Sequence, residues 1–277
     1  MKRQVIITAD DFGLALAVNE AIEVAHCEGV LTGASLMMGE AATEDAIIRA
    51  KRLPSLRVGL HIVVVDGRPV LPPERIPGLV NADGWFDDRL LRAGLRFFWS
   101  PLVRRQLYAE IRAQFEAFRA TGLRLDHVNA HKHMHLHPTI LGMILSVGRD
   151  YGMGAMRLPY EPCSKAPGHR IESVIMAPWV ALLRWRLRHA GLRFNEFVFG
   201  LTTSGSMTEE MFLHILHRLP SGVSEIYFHP ATQNHPDTKL PMAATRHGAE
   251  LNALISPKVR AMLEGGGFIR TAFGDLI

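Results

Sequence analysis

From Gln4 to His229, short runs of β-branched and apolar residues alternate with longer stretches of helical periodicity, and that alternation admits few architectures. Strands are predicted at Gln4–Thr8, Gly33–Met37, Arg57–His61, Arg124–Asn129, Gly154–Leu158, Phe194–Phe199 and Glu225–His229. Between them lie predicted helices near Leu16–Cys27, Thr43–Arg52, Val103–Thr121, Pro138–Tyr151 and Thr208–Arg218. The third helix carries Leu107, Ile111, Phe115 and Phe118 at helical spacing and ends at Gly122; the fourth opens on proline, which is favoured at a first helical position. Alternating β and α units imply a parallel sheet covered by helices, an α/β fold. No GxGxxG or GxxxxGK[ST] pattern occurs, so neither a dinucleotide cradle nor a P-loop is expected.

The positions of the polar residues choose among α/β architectures. Asp10-Asp11, His61, His131, Arg157 and His229 each fall at or just past the carboxyl end of a strand candidate. In a (β/α) barrel such positions converge at the carboxyl-terminal rim, where barrel enzymes carry out their chemistry. A TIM-like (β/α) barrel, distorted or incomplete, is therefore expected, with residues 1–277 as a single domain. The Pro- and Gly-rich stretch 62–100 is read as an inserted lid over the rim.

Composition excludes several classes. Hydrophobic residues make up 48% of the 277 and charged residues 21%, which suits a globular core and not a disordered chain. Cys27 and Cys163 lack CxxC spacing, and the run Val5-Ile6-Ile7 meets Asp10 too soon for a signal peptide. The uncharged apolar stretch Val174–Leu183 is too short to span a bilayer, so a cytoplasmic protein is expected. The net charge of +4 comes with no zinc finger, RNP motif or Lys/Arg block, and no nucleic-acid partner is expected.

Histidine carries the functional signal. The chain has 14, and His127, His131, His133, His135 and His137 recur with period two, so an extended segment shows them on one face together with Asn129. One metal ion cannot take all five; the others become substrate contacts, hydrogen-bond partners of ligands, or a helix cap, for which His137 before Pro138 is best placed. One carboxylate and two imidazoles with an open position form a usual catalytic zinc set. Asp10 and Asp11 point to opposite sides of an extended chain and need not share a role. Structural alternatives stand beside each reading: an N-capping pair for Asp10-Asp11, buried strand-end groups for His61 and His229, and an ordinary salt bridge for Arg157.

Together these residues resemble the YdjC-like carbohydrate deacetylases, a family that includes chitooligosaccharide deacetylases and a hopanoid-biosynthesis-associated branch. The resemblance runs through Thr8–Gly13, Leu31–Met37, Gly59-Leu60-His61, Gly67–Val70, His127–His135, Arg157-Leu158-Pro159 and Glu225–Pro230, and the hopanoid-associated branch is the most similar. It implies a barrel that removes acetyl groups from N-acetylated amino sugars with one divalent metal ion. Carried over by position, Asp11, His61 and His131 match the metal ligands, Asp10 the catalytic base and His229 an acid. Arg157 is placed to orient a carboxylate or anchor a substrate, and it is assigned to substrate together with His133 and Glu161. Asn129 stands where the family usually has Asp; an amide still accepts a hydrogen bond from a ligand imidazole but adds no charge. Zinc is favoured on ligand type, while the family is also described with magnesium. Competing readings are a deacetylase of soluble chitooligosaccharides and a metal-dependent phosphoesterase on a similar barrel, which would usually need more rim carboxylates than Asp10, Asp11 and Glu161.

Two segments combine apolar and basic residues, Leu90–Trp99 and Trp179–Arg188. They are expected to form an apolar wall beside the rim that holds a glycolipid, with peripheral contact to the inner membrane surface; packing between neighbouring helices or a homo-oligomer interface is the alternative.

Overall fold

Arg3–Phe12 forms the longest strand, β1, and the sheet is arranged around it. The computed structural model describes residues 3–162, 169–232 and 244–276. The other strands are β2 (Gly33–Leu36), β3 (Arg57–Ile62), β4 (Val128–Ala130), β5 (Phe197–Phe199), β6 (Gly222–Phe228) and β7 (Phe268–Thr271). Their pairings are parallel, in the order β4-β3-β2-β1-β6-β5. One edge of β1 pairs with β6 along Arg3–Ala9; the other is shared by β7, on Arg3–Ile6, and β2, on Thr8–Phe12.

The predicted strand at 154–158 is an extended connector that closes the curl. Val128 N–H donates to Ala155 O at 3.0 Å and Arg157 N–H to Val128 O at 3.0 Å, which fastens the connector to β4. Met156 N–H donates to Arg193 O at 2.9 Å and Val198 N–H to Tyr160 O at 2.8 Å, which fastens it to the β5 side. The buried Asn195 amide completes the seam: its Oδ1 accepts from Leu158 N–H at 2.8 Å, and its Nδ2 donates to Leu158 O and Phe197 O at 2.8 and 2.9 Å. The sheet therefore curls until its two edges meet through one stretch of chain.

Helices α1 (Leu16–Cys27), α2 (Thr43–Arg52), α3 (Leu90–Trp99), α4 (Pro101–Ala120), α5 (Pro138–Asp150), α6 (His169–His189), α7 (Glu209–Arg218), α8 (Ala244–Leu254) and α9 (Pro257–Gly265) connect the strands. Local chemistry sets their ends. Ser100 accepts from Val103 N–H and Pro101 opens α4, while Gly122 beyond its end has φ 76°. α2 has Glu44 and Asp45 in its first turn and Arg49, Lys51 and Arg52 in its last, matching the helix dipole.

Residues 62–100 hold a short 3-10 turn, an antiparallel bridge between Val80 and Phe86, and α3. Two buried side chains of α4 fasten the start of this stretch: Gln114 bonds both backbone groups of Val63, and Glu110 accepts from Val70 and Leu71 N–H at 2.9 and 3.0 Å. Among the described residues no helix is long and apolar enough to cross a membrane. Cys27 is free and exposed; Cys163 lies outside the described residues.

Candidate functional site

At its carboxyl end β1 breaks register. Its pairing with β2 skips between Ala9 and Phe12, and Asp11 takes a left-handed backbone at φ 63°. Gly13 follows at φ 96°, where an added Cβ would lie 3.0 Å from Met37 O, and Asn19 Oδ1 accepts its N–H at 2.8 Å. Alternation along a regular strand had set Asp10 and Asp11 on opposite sides; the bulge overrides it and brings both carboxylates into one site. Neither caps α1, whose N-cap residue is Ala15.

The histidine cluster also departs from a single face. His127 and Asn129 keep the strand alternation and point inward, but Lys132 and His133 have φ of 50° and 53°, which turns the chain after His131. His133 is thereby sent to the Tyr227 hydroxyl at 3.1 Å. His135 is fully buried and, among the described residues, has no partner on either ring nitrogen. His137 does not cap α5 through its side chain; its Nε2 meets Gly94 O at 3.1 Å. Burial, and then the Arg157 charge, push His133 down to about 3, so its ring is neutral.

Three donor atoms converge at the rim. His61 Nε2 lies 3.4 Å from Asp11 Oδ1, His131 Nδ1 lies 3.2 Å from the same oxygen, and the two ring nitrogens are 3.4 Å apart. The proton on His61 can be assigned from its neighbours. Asn129 Nδ2 points at Asp10 Oδ1, 2.9 Å away, and must be the amide nitrogen because an ionised carboxylate only accepts. Asn129 Oδ1 then faces His61 Nδ1 at 2.7 Å, so that nitrogen holds the hydrogen. His61 Nε2 is then the nitrogen that faces Asp11, where a cation held between the two would take the lone pairs of both. Burial would raise Asp11, but His131 beside it holds the carboxyl well below the usual range. Asp11, His61 and His131 thus fit one divalent ion.

Asp10 is buried beside this triad and salt-bridged to Arg157, with Nη1–Oδ2 and Nη2–Oδ1 distances of 2.5 and 3.0 Å. Burial works against its charge; Arg157 overcomes that and holds Asp10 far below the carboxylate range. The sequence left Arg157 either to orient a carboxylate or to anchor a substrate, and its contacts in the structure are with carboxylates. Its side chain is 0% exposed, its Nε and Nη2 donate to Glu225 at 2.8 and 2.7 Å, and its guanidinium lies over the Tyr227 ring. It orients carboxylates. Glu161 is joined to Thr202, whose N–H and hydroxyl it accepts at 3.1 and 3.3 Å. His229 directly follows β6, half-buried, near enough to stabilise the charges of both Asp10 and Asp11. Its Nδ1 is 3.4 Å from Ser204 Oγ, Glu250 accepts its N–H, and its carbonyl meets His247 Nδ1 at 2.5 Å.

Glu225 and Tyr227 escaped the sequence reading. Their signal was available: Glu225, Tyr227 and His229 alternate along β6 with the apolar Ile226 and Phe228, so all three face inward. Tyr227 packs edge-on between His133 and His229, with both ring centroids 5.5 Å away.

A parallel α/β sheet curled around a carboxylate and two imidazoles at its carboxyl rim defines a class of α/β proteins whose rim can hold one metal ion. Within it, the chain belongs to the YdjC-like protein family, whose model matches residues 4–265. A carbohydrate deacetylase of Geobacillus stearothermophilus is 30% identical over 269 residues, 96% of this chain and 95% of the relative. Carbohydrate deacetylases of Brevibacillus brevis and Vibrio cholerae are 38% and 39% identical over 151 and 150 residues; these matches span 56% of each relative, little more than half its length. An Enterococcus faecalis V583 protein named for cellobiose-phosphate cleavage shares the fold, with a TM-score of 0.75 at 24% identity over 99% of this chain and 98% of that one.

Proposed function

We propose that the chain is a metal-dependent hydrolase that removes the N-acetyl group from an N-acetylglucosamine-type sugar, releasing acetate. The observation that carries the reading is the set of three converging donors, Asp11, His61 and His131, beside an ionised aspartate locked by arginine. The names of the curated relatives support the acetylated sugar as substrate.

Bound to the three donors, a divalent ion supplies a Lewis acid that lowers the pKa of water and polarises an amide carbonyl. Asp10 stays charged and fixed through Arg157 and Asn129, and it takes the proton of the attacking water. His229, across the site, gives a proton to the departing sugar nitrogen as the amide C–N bond breaks. Acetate and a free amino sugar result. Zinc is the favoured ion. Two imidazoles and one carboxylate suit zinc by ligand type, whereas magnesium prefers an all-oxygen shell.

The acceptor we favour is a hopanoid glycolipid rather than a free chitooligosaccharide, with the chain seated at a membrane surface and stretch 62–100 as a lid. An apolar groove of about 790 Å³ supports this: Leu91, Leu95, Phe98 and Trp99 of α3 line one wall, and His133 and Met134 the other. Leu91 and Trp99 are 79% and 74% exposed, a large apolar outlay for a surface helix. The second basic-apolar segment does not line this groove; Val180, Leu183 and Leu187 of α6 are buried in the core. Acetate release from an N-acetylglucosaminyl hopanoid, compared with N,N′-diacetylchitobiose, tests the acceptor. A preference for the soluble disaccharide that Trp99→Ala leaves unchanged contradicts the lipid reading.

A further inference from the structure

A row of buried polar side chains crosses the interior of the sheet below the rim and ends on Asn129. Ser35 on β2 is paired in register with Gly59 on β3, and Gly59 lies beside His127, the residue before β4. Because Gly59 has no side chain, the His127 ring lies across β3 and puts Nε2 3.1 Å from Ser35 Oγ. A Cβ at Gly59 would come within 2.5–2.6 Å of three ring atoms, so the space belongs to the imidazole. Phe273 stacks on the ring with a centroid separation of 4.7 Å. His127 Nδ1 is 2.9 Å from Asp126 Oδ2, and Asp126 Oδ1 accepts Gly274 N–H at 2.9 Å. At the other end Ser35 Oγ accepts from Asn129 Nδ2 at 2.9 Å.

Each hydrogen in this row has one consistent place. Asp126 accepts, so His127 is protonated at Nδ1 and offers a lone pair at Nε2. Ser35 receives the Asn129 hydrogen and gives its own to His127. The second Asn129 hydrogen goes to Asp10, and the Asn129 carbonyl holds the Nδ1 hydrogen of His61. We propose that Asp126, His127 and Ser35 are positioning residues, a one-way hydrogen-bond chain that fixes the Asn129 amide and through it the metal-facing nitrogen of His61 and the carboxylate of Asp10. The chain moves no net proton. Its function is orientation, and it rests on the metal-centre reading above. Side chains that hold metal ligands in place typically contribute about 10–100-fold to affinity or activity.

Asp126→Asn tests the direction of the row. The substituted amide oxygen keeps the Gly274 N–H, so its NH₂ turns to His127 Nδ1 and forces the ring into the Nε2–H tautomer. Ser35 then receives hydrogens from both sides and has no acceptor for its own. The full-length chain is freed of metal, and the imidazole nitrogens of His127 and His61 are assigned by nitrogen NMR. Zinc chloride is then titrated calorimetrically. The expected results are Nδ1–H on both rings in the parent chain, Nε2–H on His127 in Asp126→Asn, and zinc affinity lowered about 10-fold or more. Ser35→Ala, which keeps the strand and removes the hydroxyl, should lower affinity similarly, and Ser35→Thr should restore it. A parent His127 that is Nε2–H or doubly protonated overturns the proposal, as do Asp126→Asn and Ser35→Ala chains that bind zinc like the parent. The tautomers are read without metal or substrate, so they fail independently of acetate release.

Discussion

Asp10 and Glu225 share one fully buried guanidinium, and that sharing makes Arg157 the most consequential single residue in the interior. Replacing it with methionine leaves two carboxylates in a dry site without their cation. Removing one partner of a buried ion pair costs about 3–5 kcal/mol, so Arg157→Met is expected to lower the urea-unfolding free energy by that amount. A loss below about 1 kcal/mol would place the pair in the solvated class and contradict its burial. Asp10→Asn is the complementary change: it keeps the shape and the Asn129 contact yet removes the base. Turnover should fall at least about 100-fold while metal content stays at one ion per chain, as read by acetate assay and elemental analysis. At this scale the sequence was informative about residue type and less so about direction. Asp10, Asp11, His61, His131 and His229 stand out because each is a polar residue at the end of an apolar run. That both aspartates face one site could not be read from alternation, because it depends on the left-handed backbone of Asp11. The role of Arg157 likewise depended on Glu225, a charge inside a strand whose partner lies 68 residues away.

Elements give two further tests. Gly59 on β3 is a packing vacancy filled by His127, and Gly59→Ala pushes a methyl into that ring. Overpacking of this kind costs about 1–3 kcal/mol, which thermal or urea unfolding of Gly59→Ala will measure; an unchanged midpoint would mean that the ring can swing clear. α3 makes the opposite case. Trp99 is mostly exposed, so Trp99→Ala should leave stability within about 0.5 kcal/mol. Any loss of activity should then be confined to the glycolipid substrate. Outward-facing apolar residues also explain why α3, which coincides with the apolar and basic segment Leu90–Trp99, was not counted among the core-packed helices: most of its leucines and aromatics do not mark a core-facing stripe. β7 was missed for a related reason, since none of its four residues is fully buried and its pattern lacks the apolar run that marks β1, β3 and β6. In contrast, α1 and α2 fall at the residues that periodicity gives, because their buried faces repeat every three to four positions.

At the scale of the whole molecule, the α/β alternation led directly to a parallel curled sheet. What it could not supply is how the curl closes, because the closing stretch 154–160 bonds as a connector through scattered backbone contacts and the Asn195 side chain. Asn195→Ala leaves the buried Leu158 N–H without its acceptor at that seam, while Leu158 O keeps the Tyr160 N–H at 2.9 Å. A buried group left unsatisfied costs about 1–3 kcal/mol, so a loss of about that size is expected, with faster hydrogen exchange at the Leu158 amide; protection equal to the parent chain would show that the seam is held elsewhere. The rim chemistry depends on this closure, since Arg157 sits in the connector and Asp10 at the end of β1. The most direct test of the account strips the chain with a chelator and returns zinc in measured steps while counting acetate released from an N-acetylglucosaminyl substrate. The account predicts no acetate from the stripped chain, activity rising linearly to a break at one zinc per chain, and no recovery in Asp11→Ala. Acetate release that survives chelation, or a zinc-saturated chain that releases none, would contradict it.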